Sequence, residues 1–493
     1  MSLILDNLPE DEDDVDEYDN GPKLAPYSTI SRRWQAVVEA RTFARVTIRE
    51  QGEIPTFFSP SPYRSAALRK IEFRIDLPAD SETRAHHRQN QSAALASLTA
   101  FMNHLEAWES NAHDELRSPI KLSLLCLSPP VHGRTAGIKR FFQFRDEEVG
   151  ALPKIRVVSR LKLWSHDGPD FSPLALCQFA TRFNCLQRLE LSYCDLALKR
   201  SAQRKTHRAM VADGISSLGQ LPYLTKLVIR HKDGSEPANH SFKTTCLEHE
   251  SSVGTVDLLC EAIRKLAQKG ILEVLRLEGE LVSPDLFRNR RSRLAAAERC
   301  QQEEEVQAEW PSLQHLLIDA PIVAPSGRWY YTGEESDVEP FPTSWGSLQR
   351  PRSPKGDDEM EAGSEALSDA DMDDGDEDTE ANGDDPIHRW RTVPDPAEFD
   401  QLAIDLAAAV KLMPRLKTCV FCLGPIEDMS KTVGIQYAEA GEEIPWFTDE
   451  KYDGDLTERR WWVRTGKNTA WEVPKELNSM CAEWAGPNSE FVV

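Results

Sequence analysis

The chain reads as α/β: a small helical cap, then an irregular array of β/α repeats, with a long acidic insert that interrupts the array near its end. Three observations lead there. A short apolar pattern returns seven times between residues 68 and 421. Stretches with apolar residues three and four apart lie between the copies, as amphipathic helices require. Finally, nearly all of the formal charge of −23 sits in two acidic runs, which leaves the rest of the 493 residues close to neutral.

Residues 1–47 are expected to form the helical cap. Ile4-Leu5-Asp6-Asn7-Leu8 is a scrap of apolar helix, followed by an acidic insertion over 9–22 that carries eight acids and no base within 9–19. Past Pro26, Ile30, Trp34, Val37 and Val38 share one helical face, and Arg32, Arg33, Gln35 and Glu39 fall mostly on the other. Phe43, Val46 and Ile48 then alternate into the next element.

Residues 48–325 hold the array. Its copies are Leu68-x-x-Ile71-x-Phe73, Val158-x-x-Leu161-x-Leu163, Leu186-x-x-Leu189-x-Leu191, Leu224-x-x-Leu227-x-Ile229, Leu272-x-x-Leu275-x-Leu277 and Leu313-x-x-Leu316-x-Ile318. A looser copy, Leu416-x-x-Cys419-x-Phe421, follows the insert. Each is a short alternating strand entered from an apolar step, as in leucine-rich repeats, whose period is about 20–29 residues. Here the copies from 158 to 313 lie 28, 38, 48 and 41 residues apart, so helices fill the difference. A plain α/β domain with parallel strands would give the same alternation. Leu95, Leu98, Phe101, Met102, Leu105 and Trp108 mark one helix, before the apolar run Ile120–Leu127. Val256, Leu259, Cys260, Ile263 and Leu266 mark another. The basic run Arg288 to Arg293 reads as a solvated helix start, with a nuclear-localisation signal as the alternative.

Residues 326–388 are expected to be a disordered acidic insert. Within 333–385, nineteen acids face only Arg350, Arg352 and Lys355, and the segment holds too little apolar surface to order itself. Residues 389–493 should contain the last repeat and a Trp-rich cap. Asp395 is placed to cap a helix, with Pro396 at its first position, Glu398 at a capping-box spacing, and a stripe of Phe399, Leu402, Leu406, Val410 and Met413. Arg459 to Val463 and Ala470 to Pro474 read as a hairpin, and Leu477, Met480 and Trp484 as a final helix.

Several function classes find no support in the residues. No basic stripe of domain size is visible along the chain, so no nucleic-acid partner is expected. No apolar run approaches the roughly 18 residues of a membrane span. Ten cysteines without a regular framework suit free thiols in the cytoplasm or nucleus. Cys419 and Cys422 lie on a strand-like run whose alternation turns them apart, so they are read as core thiols. Phosphate loops, nucleophile elbows and zinc-protease motifs are missing, and neither catalysis nor a cofactor or metal is expected.

Ile4-Leu5-x-x-Leu8 together with Ile30-Ser31-Arg32-Arg33-Trp34 resembles the F-box, a helical module that joins a protein to a cullin-based ubiquitin ligase. Over most of its length, through Gly434 to Tyr437 and Trp471-Glu472-x-Pro474, the chain is similar to F-box-like proteins of filamentous fungi. The resemblance implies that Ile4, Leu5, Leu8, Ile30 and Trp34 dock a Skp-family adaptor on its cullin scaffold, and that the repeat face selects a protein substrate. The usual Leu-Pro-x-Glu opening would lie before Met1, and an acidic stretch separates the two helices. A scaffold that has lost ligase docking is therefore the alternative.

Overall fold

The computed structural model describes residues 31–49, 51–54, 67–78, 84–111, 119–127, 141–164, 171–232, 236–251, 254–288, 310–337, 383, 387–424, 431–443, 457–466 and 471–485. Their strands, in chain order, begin with β1 (Arg45–Ile48), β2 (Lys70–Asp76), β3 (Ile120–Leu127), β4 (Val158–Trp164), β5 (Arg188–Cys194) and β6 (Lys226–Lys232). A detached antiparallel pair follows, β7 (His249–Ser251) with β8 (Gly254–Val256), then β9 (Val274–Glu278) and β10 (His315–Ala320). After a second such pair, β11 (Tyr331–Thr332) with β12 (Val393–Pro394), come β13 (Thr418–Leu423), β14 (Val433–Ala438) and β15 (Arg460–Thr465). Setting the detached pairs aside, eleven strands form one sheet whose spatial order is the order of the chain. It is parallel from β1 to β13 and turns antiparallel at β14 and β15.

Helices occupy most of the connections: α1 (Arg32–Thr42) ahead of β1, α2 (Arg84–Asn111), α3 (Asp146–Ala151), α4 (Pro173–Ala180) and α5 (Ser201–Ser217) between successive strands up to β6. Three more complete the set among the described residues: α6 (Leu258–Gln268) before β9, α7 (Pro396–Lys411) before β13, and α8 (Lys475–Ala485) after β15. Each parallel connection moves one place in the same direction. Right-handed crossovers then put the connecting helices on one face of the sheet.

The repeated apolar pattern explains the register. Val46, Ile71, Leu122, Leu161, Leu189, Leu227, Leu275, Leu316 and Cys419 pair side by side across nine strands. All are buried. Two residues on, Ile48 through Phe421 form a second buried row, so a slip of one residue would turn both rows to the other face. Successive copies are also joined by a repeated turn. The Ala44 carbonyl accepts the N–H groups of Arg69 and Lys70 at 2.9 and 2.8 Å, that of Gln187 accepts those of Thr225 and Lys226 at 2.9 and 3.0 Å, and that of Glu273 accepts those of Gln314 and His315 at 2.7 and 3.0 Å.

The structure moves several expected boundaries. The array starts before residue 68: Phe43-x-x-Val46-x-Ile48 is itself a copy, and β1 carries the sheet across the division expected at residue 47. β3 is another copy, hidden because Pro119 stands where the entering apolar residue would be. Residues 326–337 belong to the fold although they open the acidic insert. Tyr330 and Tyr331 are buried there, and the Tyr331 hydroxyl lies 2.8 and 2.9 Å from the carbonyls of Leu423 and Lys431 while accepting the Val433 N–H at 3.2 Å. Three adjacent aromatics, Trp329 to Tyr331, supply apolar surface that the surrounding polar composition conceals. Residues 338–382 lie outside the described residues.

At the C-terminal end, β15 pairs with β14 and, among the described residues, not with 471–474. The reason is edge closure, because β14 already covers β13 and offers its own free edge to the aromatic strand. Asp395 caps α7 by accepting the Ala397 N–H at 3.0 Å, but Glu398 pairs with Arg328 at 2.7 Å and does not close a capping box. The segment from His388 also has partners. The Trp390 indole donates to Ser241 Oγ at 3.0 Å, and the Arg391 guanidinium stacks over Trp329 and Trp390 at 4.9 and 4.1 Å.

Candidate functional site

With the apolar rows turned toward the helices, alternation sends the neighbouring residues of each strand to the opposite face. One register line on that face is built of cations: Arg45, Lys70, Lys121, Arg160, Arg188 and Lys226 stand side by side on six successive strands. Arg45 and Arg160 are exposed and the other four are half-buried. At about 4.8 Å between strands, the ladder runs roughly 24 Å across the sheet. From β9 onward the same line holds Val274, His315 and Thr418, so the run of charge stops at β6.

Carboxylates on this part of the face are few. On β1 to β6 the outward positions supply Glu72, Asp76 and Glu190. Burial pushes the Glu190 carboxyl up, but Arg188 at 2.7 Å, Lys162 at 3.9 Å and Arg230 at 3.2 Å outweigh it and hold the group below its ordinary value. Arg230 also takes Glu278 on β9 at 2.7 Å. Lys162 feels the surplus. Burial lowers its pKa, and Arg230, Lys121 and Lys70 lower it further against the pull of Glu190.

A second charged cluster lies at the C-terminal ends of β5 and β9. Arg208 of α5 donates to both oxygens of Asp257 at 2.8 Å, to Glu280 at 2.8 Å and to the Leu281 carbonyl at 2.8 Å. Tyr193 donates to the other Glu280 oxygen, and Asp257 also caps α6. The cluster is buried, and it ties α5, α6 and the turn after β9 together. Beside it, Arg204 holds Asp195 at 2.7 and 2.9 Å, with His207 at 3.5 Å and His231 at 3.9 Å. Burial raises the Asp195 carboxyl, but its His207 and Arg204 partners leave it well below the usual range. His207 stacks on Phe141 at the wall of a cleft of about 430 Å³ that Leu196, Arg200 and Met210 also line. The Asp195 carboxylate is already engaged by a guanidinium, so it orders the turn between β5 and α5 and is poorly placed to drive a histidine base.

Of the residues expected to dock an adaptor, Ile4, Leu5, Leu8 and Ile30 lie outside the described residues, and Trp34 is in the first turn of α1. On the same helix Val38 is buried. Cys419 and Cys422 take opposite faces of β13, and burial pushes the Cys419 thiol up to about 12. Sequence reading missed the cation ladder, because its members lie scattered between residues 45 and 226. Stacking the repeat copies would have found it: Lys or Arg recurs just before the second apolar residue of the pattern, as in Arg188-Leu189 and Lys226-Leu227. No protein-family model matches the chain, and no curated protein matches it either.

Proposed function

We propose that the chain is the substrate-recognition subunit of a cullin-based ubiquitin ligase. In this reading Ile4, Leu5, Leu8, Ile30 and Trp34 engage a Skp-family adaptor carried on its cullin, and the outward sheet face engages a protein client in the cytoplasm or nucleus. The protein has no chemistry of its own and acts by holding two partners together. One observation supports the reading: a long sheet of in-register strands turns a run of charged residues on β1 to β6 away from its buried rows, a broad surface that suits docking better than catalysis. Among the described residues no helix is long and apolar enough to cross a membrane.

Co-precipitation of the full chain with purified adaptor tests the first half, with Trp34→Ala and Leu8→Ala as controls. Binding that disappears in variants with intact circular dichroism supports the receptor. A well-folded chain that ignores the adaptor rejects it. One observation favours a second reading, a scaffold without ligase docking: α1 runs through a short turn into β1, so this segment also serves as the cap of the sheet.

A further inference from the structure

We propose that the cleft beside α5 binds a small neutral aromatic molecule carrying a hydroxyl group, a phenol or naphthol in chemical class, with His207 accepting the hydroxyl proton. The site stands apart from the sheet face and from any adaptor.

The cleft of about 430 Å³ lies past the carboxyl end of β5, where Leu196 and Arg200 lead into α5 and Phe141 approaches from the stretch ahead of α3. Open parallel sheets hold ligands in crevices beyond the carboxyl ends of their strands. The volume falls within the range of small-molecule sites, about 300–1,000 Å³. Phe141, Leu196 and Met210 give the cleft apolar walls suited to a flat ring.

His207 supplies the polar contact. Its side chain is 5% exposed, its Nδ1 lies 3.5 Å from Asp195, and its ring stacks on Phe141 with centroids 4.6 Å apart. The buried Nε2 has no hydrogen-bond partner among the described residues. Of the side chains that line the cleft, His207 alone leaves a buried polar atom unmatched. Buried polar atoms in native folds are nearly always paired, so an unmatched one on a cleft wall marks a place for a ligand atom.

Asp195 selects what that atom is. Its carboxylate holds the proton of the neutral imidazole on Nδ1, which leaves a lone pair at Nε2. A hydroxyl proton is therefore accepted, whereas a carboxylate or phosphate oxygen would set lone pair against lone pair. A cationic ligand fares no better. No lining residue is acidic, and Asp195 is already held by Arg204 at 2.7 and 2.9 Å. One acceptor nitrogen beside apolar walls fits a neutral hydroxylated ring.

The test titrates 2-naphthol, 2-methoxynaphthalene and 2-naphthoate against the full chain at pH 8, followed by saturation-transfer NMR of the probes. His207→Phe keeps an aromatic ring and removes the acceptor. Ala202→Trp, at an exposed position on the cleft wall, fills the site without touching the buried charges. Circular dichroism melts check the fold of each variant. The expected result is 2-naphthol binding about tenfold tighter than its methyl ether, the worth of one hydrogen bond. His207→Phe should erase that difference while leaving the ether's affinity unchanged, and Ala202→Trp should abolish binding of both. Should His207→Phe fail to fold, the paired probes and Ala202→Trp decide. Equal affinity for naphthol and ether, tighter binding of naphthoate, or no saturable naphthol binding overturns the proposal. So does a naphthol preference that survives His207→Phe, or binding that ignores Ala202→Trp.

Discussion

Replacing Arg208 by Met should expose how the buried charges of this fold are held. The guanidinium makes two bonds to Asp257, one to Glu280 and one to a main-chain carbonyl, and the two carboxylates are 0% and 1% exposed. Methionine fills much of the volume but leaves two acids facing each other without a cation. Breaking a buried pair in this way costs about 3–5 kcal/mol. The pH dependence should also change sign. In the native protein burial raises the Asp257 carboxyl, but Arg208 outweighs it and holds the group below its ordinary value. Its contribution is thus present above the unfolded pKa and lost as pH falls through the folded one. Without Arg208, burial raises the Asp257 carboxyl against only the Cys260 and Ser283 hydrogen bonds, so the variant regains stability as the pH falls toward the acid side of 7. Urea unfolding of both proteins at pH 7 and pH 5, followed by circular dichroism, measures this directly. A loss below about 1 kcal/mol at pH 7, or a gap that widens at pH 5, would refute the account of the cluster.

Three further outcomes follow from the same structure. Tyr331→Phe should lower stability by about 1–3 kcal/mol in the same unfolding assay, since the buried Val433 N–H and two carbonyls lose their shared hydroxyl. Arg160→Gln should leave the melting temperature unchanged or slightly raised, a change of at most about 0.2–1 kcal/mol, since its Lys121 and Arg188 neighbours are cations. Among the described cysteines, Cys246 is exposed and should react with a thiol reagent at pH 8 within the native state. Cys419, buried and pushed up to about 12, should react only on unfolding, as mass spectrometry after pulsed alkylation would show.

How much of this was readable beforehand depended on the distance between the residues involved. The rows through Leu189, Leu227 and Leu275 were legible because alternation within six residues declares a buried strand face. The cap of α7 was legible for the same reason: Asp395, Pro396 and the stripe from Phe399 are neighbours in sequence. The Arg208 cluster was not, because its acids lie 49 and 72 residues away and only the packing of α5 on α6 brings them in. Pairing of β15 with β14 was hidden likewise, since a hairpin with the nearer Trp471 satisfies the local pattern equally well. Charge on the outward face required the register itself. A lysine before an apolar residue is unremarkable once, and becomes a ladder only when six strands are laid side by side.

The central claim is that this chain docks on a ligase adaptor through its N-terminal helical segment. Mixing purified Skp-family adaptor with the full chain, then separating complexes by size, tests it most directly. The account predicts that the chain travels with the adaptor, and that Trp34→Ala breaks that link in a protein whose circular dichroism is unchanged. A folded chain that always separates from the adaptor would contradict it.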